Sequence, residues 1–311
     1  MVSKENQKTT SDFDALDPRI KGCSPLIIPK RMSKRKKASR FAKRFFLVSP
    51  ILNDTDGKVV ISLMNYLLTL AYDGTNYCGF QVQPNGRSVA QTFQDGLEAV
   101  LHSRPDIKGC SRTDAGVHAL GFALNFHAET RIPPEKLPLA INQHLPPDIR
   151  VLCARVVPEE FHARYAAHTK TYLYRIHNHP IDSPFDEKYY TRVPRRLDVD
   201  AMQRAAEQFV GKHDFLALCA VGSSAAAHGD TMRTITDCHV TRKGDEVNIE
   251  VTADGYLYNM VRILAGTLCE VGAGRMQPDA IPGILASRDR SQAGPTLPAK
   301  GLFLKKVDYD L

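Results

Sequence analysis

The stretch Ser111-Arg112-Thr113-Asp114-Ala115-Gly116-Val117-His118 decides how the rest of this sequence is interpreted. An arginine and a carboxylate lie two residues apart, and the glycine that follows can adopt the positive φ of a sharp turn. Apolar residues lie on both sides, at Ile107 and from Ala119 to Phe126. This pattern predicts a strand, a tight loop and a second strand, with Arg112 and Asp114 presented at a sheet edge. Asp and Gly are also common in ordinary polar turns, so residue types alone leave the role of the loop open.

The composition of the chain excludes several classes of protein. Its 311 residues suffice for two domains with cores of their own. The most apolar run, residues 59–72, contains polar side chains and is too short to cross a bilayer, and the opening residues do not predict a secretory signal. The seven cysteines are scattered and never spaced Cys-x-x-Cys, which favours reduced thiols in the cytoplasm over a disulfide scaffold or a structural zinc site.

The positive charge of the chain is concentrated at one end. Residues 1–63 hold 14 Lys and Arg against 6 Asp and Glu, whereas residues 64–311 hold 27 against 28. The basic block Lys30–Lys37 and the lack of apolar periodicity predict that residues 1–63 are a disordered extension. Because Met64 stands just before the first convincing strand, the extension is hypothesised to be an appendage or an upstream-start artefact. Any nucleic-acid site in the remaining chain needs local clustering of Arg and Lys.

Hydrophobic periodicity predicts an α+β protein of two similar halves, residues 64–168 and 169–311, with mostly antiparallel or mixed sheets flanked by helices. Tyr172, Tyr174 and Ile176 alternate on one face of a strand. The predicted strands are 66–72, 149–157, 172–176, 234–241, 246–253 and 302–307. The predicted helices begin at Ser88, Pro133, Asp198, about Tyr256 and Pro278, and residues 211–215 and 222–229 are predicted to be a turn and a loop.

The motifs of cofactor and metal chemistry are missing from the sequence. It contains no phosphate-binding Gly-x4-Gly-Lys loop, no Gly-x-Gly-x-x-Gly fingerprint and no Gly-x-Ser-x-Gly elbow. His177 and His179 lack an obvious third ligand, so they are interpreted as strand-end histidines. Asp114 remains as a nucleophile or acid–base group, with Arg112 near it in sequence and Arg262 able to join it. A neighbouring arginine is expected to lower the pKa of such a carboxylate and keep it ionised.

The eight residues from Arg112 to Ala119 resemble the active-site motif of the TruA family of tRNA pseudouridine synthases. The resemblance covers residues 64–311 and leaves the basic extension unexplained. Phe80 stands where family members usually have Trp. Further matching segments follow in the family's order: 72–75, 79–81, 145–149, 161–164, 170–172, 213–215 and 258–262.

The resemblance implies isomerisation of uridine to pseudouridine in the anticodon stem-loop of tRNA, at expected positions 38–40, without a cofactor. Asp114 is then the nucleophile that attacks a flipped uridine. Tyr172 is expected to stack on the base and assist removal of the C5 proton. Arg112 and Arg262 are expected to hold the nucleotide and pair with Asp114. The resemblance also implies a cleft between the two halves and a cytoplasmic homodimer in which one tRNA touches both subunits.

Two other functions stay open at this point. A non-catalytic RNA-binding protein or tRNA chaperone would depend on the basic extension, so deleting residues 1–63 would destroy its function. A carboxylate-dependent hydrolase acting on a nucleoside would release free uracil rather than make pseudouridine.

Overall fold

One mixed sheet of ten strands forms the centre of the chain in the computed structural model, which describes residues 51–53 and 59–311. The basic block of the predicted extension lies outside these residues. The strands are β1 (Ile51–Asn53), β2 (Val59–Ile61), β3 (Leu63–Tyr72), β4 (Lys108–Gly109), β5 (His118–Glu129), β6 (Ile149–Val157), β7 (Thr169–His177), β8 (Thr191–Arg192), β9 (Gly211–Asp214), β10 (Met232–Lys243), β11 (Glu246–Ala253) and β12 (Leu302–Asp308). The α-helices are α1 (Val89–Leu101), α2 (Leu137–Asn142), α3 (Val199–Glu207), α4 (Ser224–Ala227), α5 (Met260–Gly272) and α6 (Ile281–Ser287).

The strand order places the last strand of the sequence in the middle of the sheet. The order is β6–β3–β5–β12–β7–β11–β10–β9, with β4 beside β5 and β8 beside β7, while β1 and β2 pair with each other separately. Most neighbours are antiparallel, but β12 runs parallel to β5 and β8 runs parallel to β7. This mixed sheet with its helices confirms the predicted α+β fold. The boundary between residues 168 and 169 stays a prediction.

Several local predictions are confirmed because short-range chemistry determines them. The Ser88 side chain accepts a hydrogen bond from the Gln91 N–H at 3.1 Å and so begins α1. Asp198 begins α3 in the same way, with its carboxylate accepting from Ala201 N–H at 2.9 Å. Strand β6 has the predicted bounds, and Tyr172, Tyr174 and Ile176 of β7 are buried on one face as their alternation indicates.

Four predicted elements differ from the structure. Residues 211–214 form strand β9 instead of a turn, because they pair with Met232–Ile235 of β10. Helix α5 begins at Met260 rather than near Tyr256, since Asn259 has left-handed backbone geometry with φ of 59°. The predicted loop at 222–229 contains the short helix α4. Helix α3, which the periodicity predicts to run as far as Val210, ends at Glu207. In the first case a distant partner strand overrides a polar, turn-like stretch.

Helix α5 packs unusually closely against the segment that follows α6. A Cβ on Gly266 would lie 1.8 Å from the Pro295 carbonyl oxygen, and one on Gly294 would lie 2.5 Å from the Thr267 nitrogen. These two glycines therefore let helix and segment touch backbone to backbone. The contact brings the Leu297 carbonyl beside Arg262 near the start of the helix.

No helix in the described part of the chain is both long enough and apolar enough to cross a membrane.

Candidate active site

The Asp114 loop joins β4 to β5, which confirms the predicted strand, tight loop and strand. Gly116 takes the expected positive φ of 76°. The prediction that the loop lies at a sheet edge is wrong. Strand β5 is flanked by β3 and β12, so the loop emerges at the middle of the sheet. The reason is the pairing of Phe303 in β12 with His118, a contact that the local sequence does not reveal.

Backbone and hydroxyl contacts hold the loop on the side that precedes Asp114. The Thr113 hydroxyl is 2.8 Å from the Tyr72 hydroxyl, and its carbonyl accepts the Phe80 N–H at 3.1 Å. Gly79 has φ of 105°, and a Cβ there would lie 2.6 Å from the Thr113 oxygen. The Phe80 ring stacks on Phe122 with centroids 4.2 Å apart, so it fills the position of the usual Trp as a core aromatic.

His118 supports the other side of the loop from a fully buried position. Its Nδ1 accepts the Gly74 N–H at 3.0 Å, and its Nε2 lies 3.1 Å from the Lys188 carbonyl. The ring stacks on Phe303 at 4.6 Å. Burial lowers the pKa of His118, and the nearby Asp73 offsets only part of this. The imidazole is therefore a neutral linker between loops, a role that sequence reasoning missed.

The Asp114 carboxylate is half-buried, with 35% of its side chain exposed, and its Oδ2 lies 3.8 Å from Nη1 of Arg262. Burial raises the pKa of Asp114 above its usual value, and the charge of Arg262 opposes this shift. Arg262 acts in the expected direction, but the expectation that the pKa of Asp114 is lowered overall is wrong, because burial outweighs the arginine. The loss of hydration on burial raises the pKa of the carboxylate by more than one guanidinium at 3.8 Å lowers it.

The two predicted arginines occupy different surroundings. Arg112 is exposed, and among the described residues no carboxylate lies within 4.0 Å of its guanidinium. Thr113 between Arg112 and Asp114 is buried against Tyr72, whereas the Arg112 side chain extends into solvent. The structure thus brings Arg262 to Asp114 as an ion pair, and Arg112 is not part of that pair.

Arg262 is held in place by two hydrogen bonds. Its Nε donates to the Leu297 carbonyl at 2.7 Å, and its Nη1 donates to Asn259 Oδ1 at 2.7 Å. The left-handed conformation of Asn259 is one that Asn tolerates better than most residues. A left-handed backbone at a residue other than glycine persists where the surrounding structure enforces it. Sequence reasoning did not identify Asn259, although its place in the matched segment 258–262 was the available signal.

Tyr172 lies buried next to the loop. Its hydroxyl is 3.3 Å from the Ser111 hydroxyl, and its ring meets the Tyr256 ring edge to face at 4.9 Å. Burial raises the pKa of Tyr172 well above its usual value, and the charge of Asp114 adds to the shift. The structure therefore gathers Asp114, Tyr172 and Arg262 in one place. A half-exposed carboxylate, a neutral phenol and a fixed cation can together bind a polar ring and attack it.

Within the described residues, no group of three His, Cys, Asp or Glu side chains could hold a metal ion.

Comparisons with known proteins identify the family of this chain. A family model described as tRNA pseudouridine synthase matches residues 69–166 and 205–310. The tRNA pseudouridine synthase A of Caldicellulosiruptor saccharolyticus is 44% identical over 247 residues, which cover 79% of this chain and 100% of that protein. That of Ruminiclostridium cellulolyticum is 46% identical over 243 residues, covering 78% and 98%. With the motif loop in the middle of the sheet and these matches across both halves, the chain belongs to the TruA family of tRNA pseudouridine synthases.

Proposed function

We propose that the protein converts uridine to pseudouridine in the anticodon stem-loop of tRNA, at positions 38–40, with Asp114 as the nucleophile. The observation that carries the proposal is the half-exposed Asp114 carboxylate, 3.8 Å from Arg262 at the middle of the sheet. The names of its relatives support the tRNA substrate. We further propose that the protein works as a cytoplasmic homodimer.

The proposed reaction starts with a uridine swung out of its stack, since the reacting atoms are inaccessible inside a helix. The Asp114 carboxylate forms a covalent bond to the nucleotide while the bond between N1 and the sugar breaks. The base then turns and a bond forms between C5 and the sugar as the carboxylate is released. The C5 proton passes to water, and N1, which has lost its bond to the sugar, takes up a proton from water. Substrate and product are isomers, so the atoms balance without an oxidant or a reductant.

Three side chains have supporting roles in this proposal. Tyr172 stacks on the uracil. Its raised pKa keeps the phenol protonated, so its hydroxyl donates a hydrogen bond rather than accepting a proton. Arg262 keeps Asp114 ionised and oriented. Arg112, exposed on the same loop, holds a phosphate of the flipped nucleotide.

The test of the proposed function uses the purified chain and an isolated anticodon stem-loop. We expect pseudouridine at positions 38–40 after incubation, and loss of pseudouridine at those positions in tRNA from cells that lack the protein. Deleting residues 1–63 is expected to leave the conversion intact. Bound but unchanged RNA would favour the non-catalytic alternative, and free uracil would identify a hydrolase.

Arg262→Gln is expected to move the acid limb of the pH–rate profile toward higher pH. Removing the cation takes away the interaction that opposes burial, so the pKa of Asp114 rises further and the carboxylate becomes protonated at a higher pH. At neutral pH the rate should fall about a hundredfold, the usual cost of removing one preorganised donor. Single-turnover rates measured across pH test this, with Arg262→Lys as a charge-retaining control that shifts the limb less.

Asn259→Gly tests the position of the Arg262 guanidinium while leaving its charge unchanged. Glycine accepts the left-handed backbone, so the melting temperature should not fall, but the Oδ1 acceptor for Arg262 is lost. We expect a smaller shift of the acid limb in the same direction and an unchanged Kd for tRNA. A wild-type pH profile in this variant would show that Asn259 does not position the guanidinium.

A further inference from the structure

An open cleft of about 570 Å³ lies at the far end of α5 from the Asp114 site. It is formed where the start of α3 meets the end of α5, and three arginines line it: Arg195, Arg196 and Arg204. Asp198 is the acidic residue among the lining side chains, so the cleft has a formal net charge of +2 from three cations and one anion.

The three guanidinium groups form no ion pair with a carboxylate in the described part of the chain. Among the described residues, no carboxylate lies within 4.0 Å of any of them. The Asp198 carboxylate is committed to the start of α3 through its hydrogen bond to the Ala201 N–H at 2.9 Å. Grouped cations repel one another, and an anion bound between them would relieve that repulsion.

A fourth arginine stands behind the cleft and reinforces its charge. Arg242 donates to the Leu197 carbonyl at 3.0 Å and to Asn178 Oδ1 at 2.7 Å, which fixes its position. Burial lowers the pKa of Arg242, and the positive charge of Arg196 lowers it further. The guanidinium groups of Arg242 and Arg196 therefore lie close enough for their charges to interact.

This clustering is not a consequence of overall basicity. Residues 64–311 carry 27 Lys and Arg against 28 Asp and Glu, so their formal net charge is −1. An RNA-binding surface in this part of the chain must come from local groups of cations. The cleft is such a group, and arginine is the side chain whose planar fork matches phosphate oxygens.

We infer that this cleft binds phosphates of the tRNA backbone outside the anticodon stem-loop. The inference rests on the proposed function for its substrate. Helix α5 separates the cleft from the Asp114 site, because the eleven residues from Arg262 to Gly272 span about 15 Å along its axis. A tRNA extends well beyond its anticodon arm, so phosphates outside that arm can reach the cleft while the arm occupies the Asp114 site.

The test compares two RNAs and two triple variants. In the first variant Arg195, Arg196 and Arg204 are all changed to Gln. In the control Arg104, Arg131 and Lys136, which are exposed and lie away from the cleft, are changed to Gln to remove the same charge. Kd is measured for full-length tRNA and for the isolated anticodon stem-loop at several salt concentrations, and melting temperatures confirm that each variant is folded.

We expect the cleft variant to bind full-length tRNA about tenfold more weakly, with a slope of log K against log salt that is smaller by about one per lost phosphate contact. Its Kd for the stem-loop and its single-turnover rate on the stem-loop should stay within about twofold of wild type, because the lost contacts lie outside that arm. The control variant should lose less affinity for full-length tRNA than the cleft variant.

Three results would overturn the inference. One is wild-type affinity of the cleft variant for full-length tRNA, and another is an equal loss on both RNAs. The third is a rise in the wild-type melting temperature with inorganic phosphate that is lost in the cleft variant, while the tRNA affinity of that variant is unchanged. That result would make the cleft a site for a small free anion. Failure of the proposed function shows differently, as a wild-type protein that does not convert the stem-loop.

Discussion

Asp114→Asn is expected to abolish release of the C5 hydrogen from uridine in tRNA, with a fall of about 10⁴- to 10⁶-fold, the range seen when a nucleophile is removed. The amide has the shape of the carboxylate but cannot form the covalent bond. Binding should persist within about threefold, because contacts to the rest of the RNA remain. Tritium release from uridine labelled at C5 measures the rate, and filter binding measures Kd. Unchanged turnover would refute the assignment of Asp114.

The stability of this variant provides a control that the loss is chemical. The pKa of Asp114 is higher in the folded state than its usual value, so the folded protein holds the proton more tightly than the unfolded chain. Wild type therefore loses some stability as pH rises through the interval between those two pKa values, and Asp114→Asn does not. The variant should melt no lower than wild type at neutral pH. Asp114→Glu keeps the charge and should retain partial activity only if the carboxylate can still reach the nucleotide.

Gly266→Ala is expected to lower the free energy of unfolding by at least about 3 kcal/mol, the upper part of the range for overpacked positions. Its Cβ would lie 1.8 Å from the Pro295 carbonyl oxygen, which is backbone and cannot rotate away. Helix α5 and the 294–297 segment would have to separate. In any molecules that still fold, Arg262 would lose its hydrogen bond to the Leu297 carbonyl. The acid limb of their pH–rate profile should therefore shift as in Arg262→Gln. Urea denaturation followed by circular dichroism measures the loss.

Gly283→Ala is the matched control for this substitution. Gly283 is an exposed helical glycine of α6, and a Cβ there has no atom within 4 Å. Because alanine restricts the unfolded chain and favours a helix, the change should leave stability unchanged or raise it by about 0.5–1 kcal/mol. Equal denaturation midpoints for the two variants would mean that the contact at Gly266 is readily relieved.

The features that could be predicted from the sequence depend on neighbouring residues. The hydroxyl of Ser88 lies three residues from the N–H it caps, and the alternation of Tyr172 and Tyr174 decides which side faces the core. The motif that contains Asp114 likewise lies within one loop. Each of these patterns lies within about one helical turn, one loop or one strand, so neighbouring residues are enough to predict it.

The features that could not be predicted depend on distant partners. Residues 211–214 become a strand only because β10 offers an edge some twenty residues away. The position of the Asp114 loop depends on β12, and the pKa of Asp114 depends on how much water the assembled site excludes. The sequence indicates that Arg262 can approach Asp114, but it does not show how deeply the carboxylate is buried. Burial has the larger effect on the pKa of Asp114.

The central place of β12 has a consequence for biosynthesis. About 170 residues separate the end of β5 from the start of β12, so at 5–20 residues per second the ribosome needs roughly 9–35 s to make them. During that time β5 lacks a neighbour at its start, and β7 has open positions where β12 will pair. The nascent polypeptide therefore carries exposed strand edges until translation passes residue 308. A message cut short before codon 302 would leave those edges open permanently and yield a product prone to aggregation and proteolysis.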